Sequence, residues 1–480
     1  MAAAAEYGPL SLFIDGEWLG RDGREVLPVI DPATGEALGE LPKATMADIE
    51  RAIDAAANSF QSWKALTAYE RSRVMERAAD IIRERASAIA IILTREQGKP
   101  LRESLAEVNL AADTIEWHAE EGRRAYGRII PPRRTGSRMM VFLEPIGPVA
   151  GFSGWNAPAQ TPARKIGGAL AAGCTIVLKP SEETPATALL IAHAFADAGL
   201  PKGVLNIVFG DPAAISKQLV ESGRIQKITF TGSTVIGSRL AAQAALNLKR
   251  ATMELGGHAP VLIFDDANIE KVAESAVAAK FRNSGQICTS PTRFFIQGSV
   301  YDRFTARFAE IAKNWRLGNG LDEETQMGPC ANPRRVDAIE ALVQDTVKRG
   351  GRILAGGRRL QQKGFFFAPT VIGDVPDDAA VMNEEPFGPL AVMRRFSDVE
   401  DGLVLANRLP FGLASYVFTN SIDIATKVSE GINAGNVILN NWIASTPETP
   451  FGGVRHSGQG SEGGIEGLHQ FLVTKFVHQY

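Results

Sequence analysis

The stretch Lys227-Ile228-Thr229-Phe230-Thr231-Gly232-Ser233-Thr234-Val235-Ile236-Gly237 opens as a β-branched and aromatic run, turns at a glycine and resumes as the start of a helix. Backbone N–H groups and the Ser233 hydroxyl at such a helix N-terminus suit a phosphate, although a tight βα turn with no ligand has the same appearance. The texture repeats on both sides. Short apolar runs at Val149-Ala150-Gly151-Phe152, Thr175 to Leu178, Leu205 to Phe209 and Val261 to Phe264 alternate with helix-sized segments, and a second series spans roughly 268 to 440. Such alternation predicts βαβ units, a parallel sheet and the α/β class.

Upstream, Phe13-Ile14-Asp15-Gly16-Glu17-Trp18 and Asp31-Pro32-Ala33-Thr34-Gly35 read as short strands and turns. Thr45-Met46-Ala47-Asp48 has the form of a capping box, with Ile49, Ile53, Ala56 and Phe60 following at helical spacing. Glu70 to about Gly122 reads as two further helices. Asp266 and Asn268 stand where a helix bearing Ile269, Val272, Ala273, Ala276 and Val277 needs a cap.

At 480 residues the chain exceeds what one core serves, which predicts two or three domains. Its 45% hydrophobic and 22% charged residues are ordinary for a soluble globular protein. With 51 Lys plus Arg against 54 Asp plus Glu, the net charge of −3 offers no global basic field for nucleic acid. The longest uncharged stretch, Pro145 to Ala163, holds four prolines with Asn156 and Gln160, and is not a membrane span. The N-terminal MAAAAEYGPLSLFIDGEW lacks the basic n-region and long apolar run of a signal peptide. Three cysteines, at 174, 288 and 330, exclude a disulfide scaffold, and a reducing, cytoplasmic setting is expected.

Glycines are numerous, 47 in all. The one G-x-G-x-x-G, Gly458-Gln459-Gly460-Ser461-Glu462-Gly463, follows Pro450-Phe451-Gly452-Gly453 with no strand pattern before it and reads as a flexible loop rather than a dinucleotide fingerprint. Cys174 sits among apolar residues as a small hydrophobe. Cys330 follows Gly328-Pro329 with nothing nearby to activate it. Cys288 lies in the polar run Phe281-Arg282-Asn283-Ser284-Gly285-Gln286-Ile287-Cys288-Thr289, where Arg282 would favour a thiolate; nucleophile and structural loop thiol are both open readings. Glu254, in Met253-Glu254-Leu255-Gly256-Gly257, suits a buried general base or a plain strand-end carboxylate. Lys179-Pro180-Ser181-Glu182 follows the strand Ile176 to Leu178, at the end of a parallel strand where ligands bind. No Cys or His spacing marks a metal site.

Taken in order, Gly154-Trp155-Asn156-Ala157-Pro158, Leu178-Lys179-Pro180-Ser181-Glu182, Phe230-Thr231-Gly232-Ser233, Met253-Glu254-Leu255-Gly256-Gly257, Asn283-Ser284-Gly285-Gln286-Ile287-Cys288, Glu384-Glu385-Pro386-Phe387-Gly388-Pro389 and Pro450-Phe451-Gly452-Gly453 resemble the motif series of the aldehyde dehydrogenase superfamily over essentially the whole chain. The resemblance implies Cys288 as nucleophile, Asn156 with the Cys288 N–H as oxyanion donors, and Glu254 as the base of deacylation. It implies Lys179 and Glu182 at the adenosine ribose, Gly232 and Ser233 at the pyrophosphate turn, and Glu385, Phe387 and Trp155 about the nicotinamide ribose; Lys179 is also grouped with the catalytic residues. Because the Glu182 carboxylate would repel a 2′-phosphate, NAD is expected over NADP.

Within the family, Ala159 to Cys174 and Phe281-Arg282-Asn283 resemble the succinate-semialdehyde dehydrogenase branch, which implies Arg164 and Arg282 as a carboxylate clamp assisted by Ser445. Ala157, Trp442-Ile443 and Pro447-Glu448 depart from that branch and suggest a wider tunnel for aromatic or longer aldehydes; Ser290 replaces the second cysteine of some members. The implied architecture is two Rossmann-like α/β domains, a cofactor domain (1–122 and 146–256) and a catalytic domain (257–456), with a small β extension (123–145 and 467–480) that joins copies into a homodimer or homotetramer. The expected activity is NAD-dependent oxidation of a carboxylate-bearing semialdehyde, with an aromatic or broad-specificity aldehyde dehydrogenase as the alternative and a non-catalytic or coenzyme A-acylating relative as weaker rivals.

Overall fold

The computed structural model describes residues 6–480. Its first sheet runs Gly458–Gln459, Arg250–Glu254, Lys227–Thr231, Val149–Phe152, Ile176–Lys179, Leu205–Ile207, Leu12–Ile14, Glu17–Leu19. The five strands from Arg250–Glu254 to Leu205–Ile207 are parallel, and the three outer pairings are antiparallel. Val149–Phe152 and Ile176–Lys179 are buried throughout, which accounts for the apolar runs Val149–Phe152 and Ile176 to Leu178. From Val149–Phe152 the chain builds outward on one side with Ile176–Lys179 and later on the other with Lys227–Thr231. That reversal is a switch point, where the loops leaving the two strands diverge and open a crevice.

The second sheet runs Arg352–Ala355, Thr370–Gly373, Leu390–Phe396, Pro291–Gln297, Ala259–Ile263, Ala414–Phe418, Asn436–Leu439, all parallel except the first. Apolar side chains from 10–255 and 468–472 form one core, and two others cover the faces of the second sheet. Leu472–Gln479, Arg138–Pro145 and Arg128–Ile130 make a separate antiparallel sheet.

Thr45 and Asp48 close the expected capping box on the helix Met46–Ala65, and Asn268 caps Ile269–Phe281. Asp266 serves elsewhere, accepting from Thr419 and Asn420. Between Ala68 and Gly122 there are three helices rather than two: Ala68–Glu84, Ala86–Gln97 and Leu101–Gly122. One break is marked by Gly98, at φ 96°, and Pro100; the other, which the apolar periodicity concealed, is the single residue Arg85 between Ala68–Glu84 and Ala86–Gln97. The Gly458–Gly463 segment is also unlike its expectation as a flexible loop. Gly458–Gln459 pairs antiparallel with Met253 and Glu254, and Phe451 and Glu462 exchange two backbone hydrogen bonds of 2.7 Å. A Cβ at Gly458 would lie 1.9 Å from the Met253 carbonyl oxygen, so this glycine permits a close strand approach.

Candidate active site

The carboxyl edge of the first sheet faces the loops that lead into strands of the second, and a cavity of about 860 Å³ lies between them. Gly154, Trp155 and Asn156 reach it from one side of the switch point, and Gly232 and Ser233 from the other. Glu254 enters from the end of its strand, Cys288 and Arg282 from the loop before Pro291–Gln297, and Glu385 and Phe387 from the loop before Leu390–Phe396. Arg164 and Ser445 complete the wall. Lys179 and Glu182 do not line this cavity. Lys179 ends the neighbouring strand, with Nζ 2.5 Å from Glu182 Oε2, while Glu182 Oε1 accepts from the Gly210 N–H at 3.1 Å. The grouping of Lys179 with the reacting residues is therefore corrected: its ammonium is held on a carboxylate one strand away.

Cys288 follows three successive left-handed residues, Asn283, Ser284 and Gly285, at φ 49°, 54° and 70°. Two of these carry side chains, so the turn stores strain that its surroundings must hold. Asn283 donates its N–H to Glu103 at 2.8 Å, accepts from Gln97 at 2.7 Å and donates Nδ2 to the carbonyls of Asn156 and Gln286 at 2.9 and 3.2 Å. Ser284 donates to the Gly328 carbonyl at 2.8 Å. A Cβ on Gly285 would stand 2.1 Å from the Gly388 carbonyl oxygen.

Burial, with the Glu385 and Glu254 carboxylates, pushes the Cys288 thiol up to about 12; Arg164 and the Thr289 N–H act the other way. The expectation that Arg282 favours the thiolate is not met. Its guanidinium is exposed at the cavity wall, and Arg164 is the cation that acts on the sulfur. Cys174 and Cys330 are fully buried outside the cavity, and burial raises them to about 11 and 12.

Glu254 is 3% exposed, and neither carboxylate oxygen has a hydrogen-bond partner. Burial and the neighbouring Glu462 push it well above the ordinary carboxyl range, against Arg164 and Lys165. Glu462 is itself buried, yet Lys165, 2.6 Å away, and Arg164 hold it low. Lys165 also donates to Thr231 at 2.7 Å. Asn156 Nδ2 rests on the Gln286 carbonyl at 3.2 Å. Arg164 donates to Ser445 at 2.8 Å and lies 4.2 Å over the Phe451 ring, and no acid pairs with it among the described residues. Its guanidinium lines the cavity, and its charge also acts on the buried Glu254 and Glu462.

Glu385 accepts the Gly257 N–H at 3.0 Å, and burial raises it to about 7 against that bond, Arg335 and Lys280. Trp155 and Phe387 meet edge to face at 5.4 Å. Ser233 occupies the N-cap of Thr234–Leu246 without a side-chain capping bond, so its hydroxyl and the helix N-terminus suit a phosphate. Among the described residues no cluster of three His, Cys, Asp or Glu could hold a metal, and no helix is long and apolar enough to cross a membrane.

Residues 18–477 match the aldehyde dehydrogenase family. The chain belongs to this family. It is 46% identical over 469 residues to 4-(hydroxymethyl)benzenesulfonate dehydrogenase of Comamonas testosteroni, covering 97% of each chain. It is 41% identical to the NADP(+) succinate-semialdehyde dehydrogenase of Escherichia coli (strain K12), covering 97% of this chain and 96% of that one. The crystal structure of succinate-semialdehyde dehydrogenase from Burkholderia pseudomallei superposes with a TM-score of 0.96 at 41% identity, covering 98% of each chain. The fold is thus that of an aldehyde dehydrogenase, and the protein is an aldehyde-oxidising enzyme by family.

Sequence reasoning missed Lys99, Glu107, Lys165, Arg335 and Glu462, all but Lys165 at the cavity wall. Glu462 lay inside the glycine motif that read as a loop, and Lys99 lay in the turn Gln97-Gly98-Lys99-Pro100 that divides two helices.

Proposed function

We propose that the protein oxidises an anionic aldehyde, such as succinate semialdehyde, to its carboxylic acid through a covalent adduct on Cys288, using NAD. The supporting observation is that Cys288, Asn156, Glu254 and Arg164, which has no salt-bridged acid among the described residues, line one cavity with Ser233 and Glu385. Ser233 would meet the pyrophosphate, Glu385 the nicotinamide ribose, and Lys179 with Glu182 the adenosine ribose at the edge of the crevice. The bound dinucleotide supplies the hydride acceptor.

With its thiol raised to about 12, Cys288 first gives its proton to solvent in the cavity and then attacks the carbonyl carbon as the thiolate. The carbonyl oxygen becomes an oxyanion, received by Asn156 Nδ2 and the Cys288 N–H, each such donor being worth about 3–4 kcal/mol. Oxidation leaves an acyl thioester on Cys288. Glu254, whose oxygens have no other partner, takes a proton from water as the water oxygen attacks the thioester, and the sulfur leaves as thiolate. Arg164, held by Ser445 and Phe451, receives the substrate's distal anion, with Arg282 at the rim. Cys288→Ser should abolish NADH formation while NAD binding persists; an active variant would sink the mechanism.

The Glu182 carboxylate favours NAD, whereas the Escherichia coli relative is named for NADP(+). Equal kcat/KM with both would refute the preference. A second reading, an aromatic aldehyde with an anionic substituent, is favoured by the short Ala157 side chain and the apolar Leu110, Ile287, Trp442 and Phe451 of the wall, and by the Comamonas relative's name. A panel of semialdehydes, aliphatic and substituted benzaldehydes, run with the wild type and Arg164→Ala, separates the two. Unchanged use of succinate semialdehyde by Arg164→Ala would remove the clamp. Residues 1–122 with 146–256 form the cofactor domain in this reading and 257–456 the catalytic domain, while 123–145 with 467–480 join subunits of a cytoplasmic homo-oligomer.

A further inference from the structure

The segment from Gln97 to Glu107 touches both halves of the reacting centre. Lys99 is 4% exposed, and its ammonium donates to the backbone carbonyl of Asn156 at 2.8 Å and pairs with Glu107 Oε2. The other Glu107 oxygen accepts the N–H groups of Ala159 and Gln160 at 2.9 and 3.2 Å. These begin the helix Gln160–Ala172, whose N-cap Ala159 has no side chain able to cap it. A carboxylate from another helix thus satisfies the orphan donors and suits the positive end of the helix dipole.

Toward the second sheet, the backbone of Gly98 and Lys99 is wedged: a Cβ at Gly328 would lie 1.9 Å from the Gly98 oxygen, and one at Gly320 2.4 Å from the Lys99 oxygen. Gln97 holds the Asn283 side chain, which donates to the same Asn156 carbonyl that Lys99 grips. Asn156 lies in a loop, outside any helix or strand, so its side-chain amide is only as well placed as its backbone. A buried ion pair is weak support for stability in itself. Its geometric effect here is definite: one ammonium fixes the peptide of the oxyanion donor, and the paired carboxylate fixes the helix that carries Arg164.

We propose that Lys99 is a positioning residue of the reaction, which through Glu107 and the Asn156 carbonyl holds the oxyanion amide in register with the nucleophile loop. The inference rests on the reading of Cys288 and Asn156 given above. It makes the pair matter for the covalent step with any aldehyde, charged or uncharged.

The test is single-turnover oxidation of succinate semialdehyde and propanal by the wild type, Lys99→Met, Asn156→Ala and the double variant, alongside NADH binding by fluorescence. Lys99→Met is expected to slow the single turnover of both aldehydes by about 10- to 100-fold, the scale of an ångström-sized misplacement, with NADH affinity within about twofold. In the Asn156→Ala background the same change should cost less than about threefold, because the amide it positions is gone. A full Lys99→Met effect in that background, or none in the wild type, overturns the proposal. Lys99→Arg, which keeps charge and donors, should recover part of the rate; should Lys99→Met not fold, the same cycle run with Glu107→Gln decides by the same criterion. If Asn156→Ala alone leaves the rate unchanged, the reading of Asn156 fails, a result distinguishable from failure of Lys99.

Discussion

Cys288 and Glu254 both rest in an environment that favours their protonated forms, so turnover must gain as pH rises. Glu254 works as a base only when ionised, and its raised pKa moves that ionisation above the ordinary carboxyl range. Steady-state kcat should therefore climb with pH at values above the ordinary carboxyl range, while Glu254→Gln should keep a stopped-flow burst of NADH and lose the turnover that follows. A variant with normal turnover and the same pH limb would remove Glu254 from deacylation. Glu385 gives a second signature. Its folded pKa is raised to about 7 from an ordinary value of 4.5, so its contribution to stability is complete below the lower value and is lost as pH rises through the higher one. Without cofactor, Glu385→Gln should gain thermal midpoint relative to the wild type between pH 5 and pH 8. A constant difference would mean the carboxyl titrates normally. Cys288 and Glu254 stood out in polar or glycine-rich settings, but those settings left two readings open for each, and only the ordered series of motifs assigned them roles. Lys99 and Glu107 did not stand out, because their meaning lies in contacts with Asn156 and Ala159 more than fifty residues away.

Among elements, the loop before Cys288 carries the most specific demand. Gly285 combines φ 70° with the Gly388 carbonyl oxygen against its α-carbon, and Gly388 closes the turn that bears Glu385 and Phe387. Gly285→Ala should thus cost about 1–3 kcal/mol in urea unfolding, and more in activity than the stability loss alone explains, since the displaced loop carries the nucleophile. Wild-type kcat in that variant would show that the contact yields without moving Cys288. The strand and helix alternation from Val149 onward was readable because both faces of each central strand are buried and leave unbroken apolar runs. The break at Arg85 and the pairing of Gly458–Gln459 were hidden for opposite reasons. The first interrupts a periodicity that continues on either side of it. The second is a two-residue strand whose partner, Met253–Glu254, lies about two hundred residues earlier.

At the scale of the molecule, the sheet of Leu472–Gln479, Arg138–Pro145 and Arg128–Ile130 is poorly accounted for by a single chain. Only Val141 and Leu472 among its apolar residues are buried, whereas Ile129 is 82% and Phe476 52% exposed, with Tyr126, Phe142 and Tyr480 also at the surface. Arg128–Ile130 pairs on one side and presents a free edge on the other. An apolar sheet with an open edge invites another strand or face, and a second copy of the chain is the partner expected from the extension's place outside both α/β cores. Light scattering coupled to size exclusion should give two or four times 51.5 kDa. Ile129→Asp combined with Phe476→Asp should shift the protein toward monomer, while NADH binding persists because the cavity draws no wall from this sheet. A monomeric wild type at micromolar concentration would leave the exposed sheet without its proposed cover. An unchanged mass in the double variant would instead move the interface to another surface, with Leu246 and Leu248, 85% and 95% exposed at the end of the helix Thr234–Leu246, the next place to substitute.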